Sequence, residues 1–462
     1  MSTPNPQLDS SRGTPGGRGI PRSQRAVRDQ VRIEMRSLDQ LLPAGDQARV
    51  VWEFVRKLDL AEFYADIRAV EGPVGRSPVD PAILLALWLL ATLDGIGSAR
   101  EVAVLSTRHL AYEGLCGEVG VNPPLLSDFR SARPERLEAL LVQVLAVLMD
   151  QGWVSLNRVA QDGMRVRASA GGSSFRRKGR GEEHLRDAQA QVAALKNRVD
   201  EDSGAADRRV QAAKARAVTE RRERVEEALA QLPELEAKLE RRQKGAGAKA
   251  RCSTTDPDAR RRKMADGGTR PAYNVQLATT DETRLIVGWD VTNVGSEGGL
   301  MTPLVEPLER HFDQRPQDDL SEGGCSSKHD LEELPSHGTT VDTPIRDEEN
   351  KRAKGRDPFA PMPGDSPIIA AWRQRRGTEA AQTIDKLRPR LAEFPHAVFR
   401  NRGLRQFLVR GLNRVKAVTL WQVLAFHFSR IRSLGWLPAL GSPASGSAPT
   451  ADRNETQDTH GD

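Results

Sequence analysis

With 462 residues the chain has room for roughly three domains and at least one large core, which excludes a small disulfide-stapled scaffold. Lys and Arg total 69 against 63 Asp and Glu, a net charge of +6 that names no partner until its position is known. Three cysteines, Cys116, Cys252 and Cys325, lie far apart and free of C-x-x-C spacing. They support neither a disulfide framework nor a zinc site, and they fit a reducing cytoplasm.

Residues 1–45 are rich in Ser, Pro, Gly and Arg and lack the apolar run of a signal peptide, so they read as a flexible tail. Residues 46–152 read as a helical domain. Val50, Val51, Phe54, Val55 and Leu58 recur on one helical face, and Asp80-Pro81 pairs an N-cap with proline at the first helical position. The apolar run Ala82–Leu93 is shorter than the roughly 18 to 20 residues that span a bilayer, so it reads as a core helix and no membrane is expected. Ser98 caps a further short helix, and a long one is expected from Pro134 to Gln151. The spacing suits a helix-turn-helix or a plain bundle equally.

From Val154 to Val166 the apolar period becomes two, leading to Gln161-Asp162-Gly163: a buried strand ending in a carboxylate and a glycine. Residues 171–250 follow, an insertion with 19 basic and 14 acidic side chains among 80 positions. Leu185, Ala188, Val192, Leu195 and Val199 form one seam, and Val225, Ala228, Leu232, Leu235 and Leu239 form another beyond Ser203-Gly204. Two arms of about 20 residues predict an antiparallel coiled-coil hairpin projecting roughly 30 Å; a solvated spacer is the competing reading.

Two strands are expected at Tyr273–Thr280 and Leu285–Thr292, then a helix at Leu300–Phe312. A short strand running into Gly323-Gly324 puts Glu322 at its carboxyl end, and a helix at Asp330–Ser336 and a strand at Thr339–Thr343 follow. Residues 346–365, full of charge and proline, read as a mobile loop, and 435–462 as a disordered tail. From Phe394 to Thr450 there is no acidic residue, while Arg400, Arg402, Arg405, Arg410, Arg414, Lys416, Arg430 and Arg432 accumulate there. They are expected on helices whose apolar positions include Phe399, Leu404, Leu408, Leu412, Val415 and Leu420. A face of one sign meets either a polyanion or acidic surface elsewhere in the fold.

Phosphodiester chemistry needs oxygen ligands for a pair of Mg²⁺ ions roughly 3.5 to 4 Å apart. Asp162 and Glu322 at strand ends and Glu393 on a helix offer that chemistry, although each taken singly is more often a surface carboxylate. The runs R-V-A-Q-D-G-M-R-V-R-A-S-A-G (158–171), S-T-T-D-P-D-A-R (253–260), K-M-A-D-G-G-T-R-P-A-Y-N-V-Q (263–276) and D-V-T-N-V-G-S-E-G-G (290–299) closely resemble bacterial insertion-sequence transposases of the DDE superfamily. So does R-N-R-G-L-R-Q-F-L-V-R-G-L (400–412), while D-P-A-I-L-L-A-L-W-L-L-A-T-L-D-G (80–95) is similar to their InsH-type N-terminal domain.

That resemblance implies an α+β fold: an all-α N-terminal domain, then a ribonuclease H-like mixed sheet with flanking helices over 153–434, interrupted by the helical hairpin. It implies a transposase that binds the element's ends and catalyses Mg²⁺-dependent (or Mn²⁺-dependent) strand cleavage and transfer. Asp162, Glu322 and Glu393 are implied as the triad holding two ions. Arg388 and Arg400 match basic positions that would contact phosphate, and Arg402, Arg405, Arg410, Arg414 and Lys416 are expected as further DNA contacts from the one-sign charge of the basic run. The partners are double-stranded DNA, both terminal inverted repeats and target, with a homodimer in the DNA complex and a cytoplasmic, nucleoid-associated location. Asp256, Asp258, Asp266 and Arg270 lie in family motifs without an assigned role. Three departures from the family stand out: Glu322 replaces aspartate, Asp385 replaces tyrosine, and the run Phe394-Pro395-His396 differs. Pro395 is expected to disturb the helix carrying Glu393, and Asp385 to add negative charge near a phosphate site. A catalytically impaired DNA-binding relic is the alternative function.

Overall fold

The computed structural model describes residues 35, 37–65, 67, 77–198, 205–294 and 298–437. Residues 1–34, 36 and 438–462 lie outside that range, and with them most of the two expected tails. Within the tail expected up to residue 45, Ser37 caps a one-turn helix α1 (Leu38–Leu41) through a complete capping box.

Seven more helices follow: α2 (Gln47–Val55), α3 (Ala61–Tyr64), α4 (Pro81–Leu93), α5 (Ala99–Leu105), α6 (Leu110–Cys116), α7 (Pro123–Ser131) and α8 (Pro134–Asp150). The expected cap is present, with the Asp80 carboxylate accepting from Ala82 N at 2.8 Å. Residues Leu84–Thr92 of α4 are all buried. An all-round apolar helix must be covered on every side, and α2, α6 and the last helix of the chain pack against it.

The sheet region contains β1 (Arg158–Arg167), β2 (Phe175–Arg176), α9 (Lys178–Arg198), α10 (Ala205–Arg242), β3 (Cys252–Ser253), β4 (Arg260–Lys263), β5 (Thr269–Thr280) and β6 (Ile286–Thr292). It continues through α11 (Thr302–Phe312), β7 (Asp318–Leu320), α12 (Lys328–Ser336), β8 (Thr340–Asp342), α13 (Glu348–Ala353), α14 (Pro367–Arg376), α15 (Glu379–Asn401) and α16 (Leu412–Ser433). The main sheet has six strands. β5 lies antiparallel to β1, β6 and β4, while β1, β7 and β8 run parallel to one another. This mixed sheet with flanking helices is compatible with a ribonuclease H-like fold.

Alternation along β1 divides the two faces. Ala160 on one face meets Leu320 together with Leu391 and Ala392 of α15. Gln161 on the other donates to Met301 O and to Asp319 Oδ2, at 3.3 and 2.6 Å. One apolar core extends from Ala48 to Ile431, so it crosses the expected domain boundary at residue 152 without a break. α16 explains that continuity: it is buried from Thr419 through Phe428, with α4, α7 and α8 packed against it along with β6.

The insertion forms two packed helices, with Ala188, Val225, Ala228 and Leu232 buried. Its turn, 199–204, and the side chains of Leu195 and Val199 lie outside the described residues. The arms are unequal, 21 residues in α9 and 38 in α10, so the second is about 57 Å long rather than 30 Å. Residues 346–365 contain α13, and Asp365 at their end pairs with Arg373 at 2.6 Å.

Two expectations about the C-terminal stretch are corrected. α15 continues through both Pro389 and Pro395; Pro395 is buried, and Leu391, Ala392 and Phe399 pack the turns around it. Residues 402–411 are not helical: Gly403 and Gly411 adopt φ of 83° and 85°, which breaks the run between α15 and α16. Leu404 and Phe407 are the buried residues there, and Leu408 is 62% exposed.

Candidate active site

Asp162 lies in mid-strand, because β1 continues to Arg167 instead of ending at Gly163. Its parallel pairing with β7 nevertheless stops at Ala160–Leu320. Asp162 and Glu322 therefore each stand two residues beyond the last paired position of neighbouring parallel strands, on the face that α15 covers. Gly163 beside Asp162 has a steric reason, since a Cβ there would come within 2.2 Å of Gln276 Nε2 and 2.9 Å of Asn274 Oδ1.

Each of the two carboxylates meets a basic side chain of α15. Asp162 Oδ2 is 3.4 Å from His396 Nδ1, and Glu322 Oε1 is 3.4 Å from Arg388 Nη1. Asp162 Oδ1 also accepts from Gly163 N at 2.7 Å. His396 is buried, and its Nε2 has no hydrogen-bond partner. Arg388, Ala392 and His396 are spaced i, i+4, i+8 and so line the face of α15 turned to the sheet. Glu393 stands about 60° around the helix from His396 and is exposed.

The arrangement thus places Asp162 and Glu322 beyond neighbouring strands under α15 and leaves Glu393 exposed. Among the described residues no group of three or more His, Cys, Asp or Glu is arranged to hold a metal ion. Asp162 and Glu322 offer the hard oxygen chemistry that Mg²⁺ takes, but the three acids do not form a cage in this conformation.

The sequence marks His396 only as part of the departing Phe394-Pro395-His396 run and attaches no role to it. The i, i+4, i+8 spacing from Arg388 was the available signal. Asp385 pairs with Arg376, so its negative charge is neutralised rather than left facing a phosphate site.

The acids of the S-T-T-D-P-D-A-R run gain a structural role. Gly411 brings no side chain to cap α16, and Asp256 and Asp258 supply what is missing. Asp256 Oδ1 accepts from Gly411 N at 3.1 Å and from the Tyr273 hydroxyl at 2.7 Å, and Asp258 Oδ2 accepts from Leu412 N at 2.8 Å. Carboxylates suit the positive end of a helix. Burial pushes the Asp256 carboxyl up, against the lowering bonds from Tyr273 and Gly411. Asp266 bridges Arg167 and Arg270 at 2.9 and 2.5 Å, and both arginines hold its carboxyl down.

The basic run divides by environment. Arg400, Arg405, Arg410 and Arg414 are exposed, whereas Lys416 pairs with Asp290 at 2.9 Å. Arg402 donates to Ser429 Oγ at 2.6 Å, and Arg430 to Thr283 O at 2.8 Å. No helix among the described residues is long and apolar enough to cross a membrane.

Comparison with known proteins adds one match. No curated protein matches the chain, and no solved structure does. Residues 36–132, which hold α1 to α7, match the family model described as Transposase domain (DUF772), and that match supports a transposase-family protein.

Proposed function

We propose that the chain is the transposase of a bacterial insertion sequence, which binds double-stranded DNA at the element's terminal repeats, cuts there and joins the freed strand to target DNA. The transposase-domain match over residues 36–132 carries the reading. The mixed sheet and the positions of Asp162 and Glu322, each two residues past the end of the β1–β7 pairing, support it further, as do the exposed arginines between residues 400 and 414. A homodimer on DNA is part of the proposal, as is a nucleoid-associated location.

In the active form, Asp162, Glu322 and Glu393 would hold two Mg²⁺ ions. Such ions activate the attacking oxygen and stabilise the leaving one. The chain's own basic groups act on the carboxylates: His396 orients Asp162 and Arg388 neutralises Glu322. The catalytically impaired relic is the second reading, favoured by one observation, the exposure of Glu393 while His396 faces Asp162. Glu322 adds to it, because an extra methylene moves its oxygens by about 1 Å, and a misplacement of that size costs on the order of 10²-fold in rate.

Strand cleavage of a duplex carrying the element's ends, with Mg²⁺, tests both readings. The transposase reading expects cleavage by the chain as it stands and its loss in Asp162→Ala. Cleavage by Glu322→Asp alone selects the relic. Cleavage that Asp162→Ala leaves unchanged contradicts the site.

A further inference from the structure

A cavity of 250 Å³ lies where the turn after α4 meets the loop between α15 and α16. Trp88, Thr92, Arg130, Arg402, Trp421 and Gln422 line it, and no acidic residue does. The two walls approach closely: a Cβ on Gly95 would come within 3.2 Å of Arg402 O, and one on Gly403 within 3.2 Å of Gly95 O. Exposed Arg405 and Leu408 also border the cavity.

Arg130 is 8% exposed, and its guanidinium lies 4.5 Å from the centre of the Trp88 ring. It donates to Gly97 O, and its Nε has no partner. Arg402 spends one amino group on Ser429 and leaves Nη1 unpartnered. Gln422 is 7% exposed with Oε1 unpartnered. Burial alone pushes both guanidinium groups down to about 10, with no carboxylate opposing it.

Two desolvated cations without a counter-charge are costly, and folded proteins ordinarily pair them. Arginine presents a planar set of donors that matches phosphate oxygens. The volume is below the roughly 300 Å³ at which pockets for drug-sized ligands begin, so it suits one phosphate and little more.

We propose that this cavity binds a single phosphate group of a nucleic acid strand between Arg130 and Arg402. The proposal rests on the nucleic-acid-binding reading but not on strand cleavage, because the site contains none of Asp162, Glu322 and Glu393. It joins the N-terminal helices to the basic loop through one shared anion.

The test is the thermal midpoint of the full chain with sodium phosphate against sodium chloride at equal ionic strength. A 5′-phosphorylated single strand and its 5′-hydroxyl twin follow. The expected result is a saturable rise of about 3 to 5 °C at ligand 100-fold above Kd. Arg402→Lys, which keeps the charge but loses the planar donors, should lose most of the rise. Gln422→Glu puts a carboxylate in the cavity; it should raise the phosphate-free midpoint and abolish the response. Tighter binding of the phosphorylated strand identifies a strand end as the source of the phosphate. Equal binding of the twins, with competition by inorganic phosphate, identifies an internal phosphodiester. No rise with any of the three ligands overturns the proposal, as does a rise that both variants retain.

Discussion

Asp162 of β1 and His396 of α15 face each other with Oδ2 and Nδ1 3.4 Å apart, their side chains only 15% and 3% exposed. The pair ties the central strand to the helix expected to complete the site, at the position where a third carboxylate would otherwise be sought. A double-mutant cycle with Asp162→Asn and His396→Ala should give a coupling of about 1 kcal/mol in urea unfolding. Strictly additive variants would show that the two side chains do not interact.

The cap of α16 should be costly to remove. Asp258→Ala strips the acceptor from Leu412 N and is expected to lower stability by about 1 to 2 kcal/mol. Asp256→Ala leaves the Tyr273 hydroxyl and Gly411 N without their shared acceptor, at about 2 to 3 kcal/mol. Urea midpoints at pH 7 check both, and the order should be Asp256 above Asp258.

Acid should act through His427. It is fully buried where α16 packs on β6; its Nε2–H donates to Ile286 O at 2.7 Å, and Nδ1 has no partner. Burial pushes its pKa down to about 4, with the bond to Ile286 opposing. The unfolded chain takes up this proton near pH 6.5 and the folded chain only near 4. The stability contributed by the neutral ring is therefore complete above pH 6.5 and is lost as pH falls from 6.5 to 4. Between pH 7 and 5 the loss should be about 2 kcal/mol greater than in His427→Gln, read from urea unfolding at the two pH values.

Charge on the basic run should sort by environment. If DNA lies against it, Arg405→Gln and Arg414→Gln should each reduce the slope of log affinity against log salt by about 0.9. Lys416→Gln should leave the slope unchanged, because Lys416 already pairs with Asp290. Equal effects at all three positions would contradict that division.

The apolar patterns carried most of the architecture. Asp80-Pro81 located the start of α4, alternation located β5 and β6, and the paired seams located α9 and α10. The stretch around 402–411 misled because Leu404, Leu408 and Leu412 imitate a helical repeat, while Gly403 and Gly411 impose a backbone that no repeat reports. In the site, only Glu322 follows the expected pattern of a carboxylate just past a strand end before Gly323-Gly324, whereas β1 runs on through Gly163 to Arg167 and leaves Asp162 in mid-strand. The role of His396 was not legible, since its partner lies on a distant strand and only the packing of α15 brings them together. The roles of Asp256 and Asp258 were hidden for the same reason: the helix they cap begins more than a hundred residues later.

The claim that Asp162 and Glu322 belong to one cation-binding site is tested most directly by titrating the full chain with Mn²⁺ as the probe. The account predicts binding by the unaltered chain and at least tenfold weaker binding in both Asp162→Asn and Glu322→Gln. Binding that Asp162→Asn leaves unchanged would contradict it.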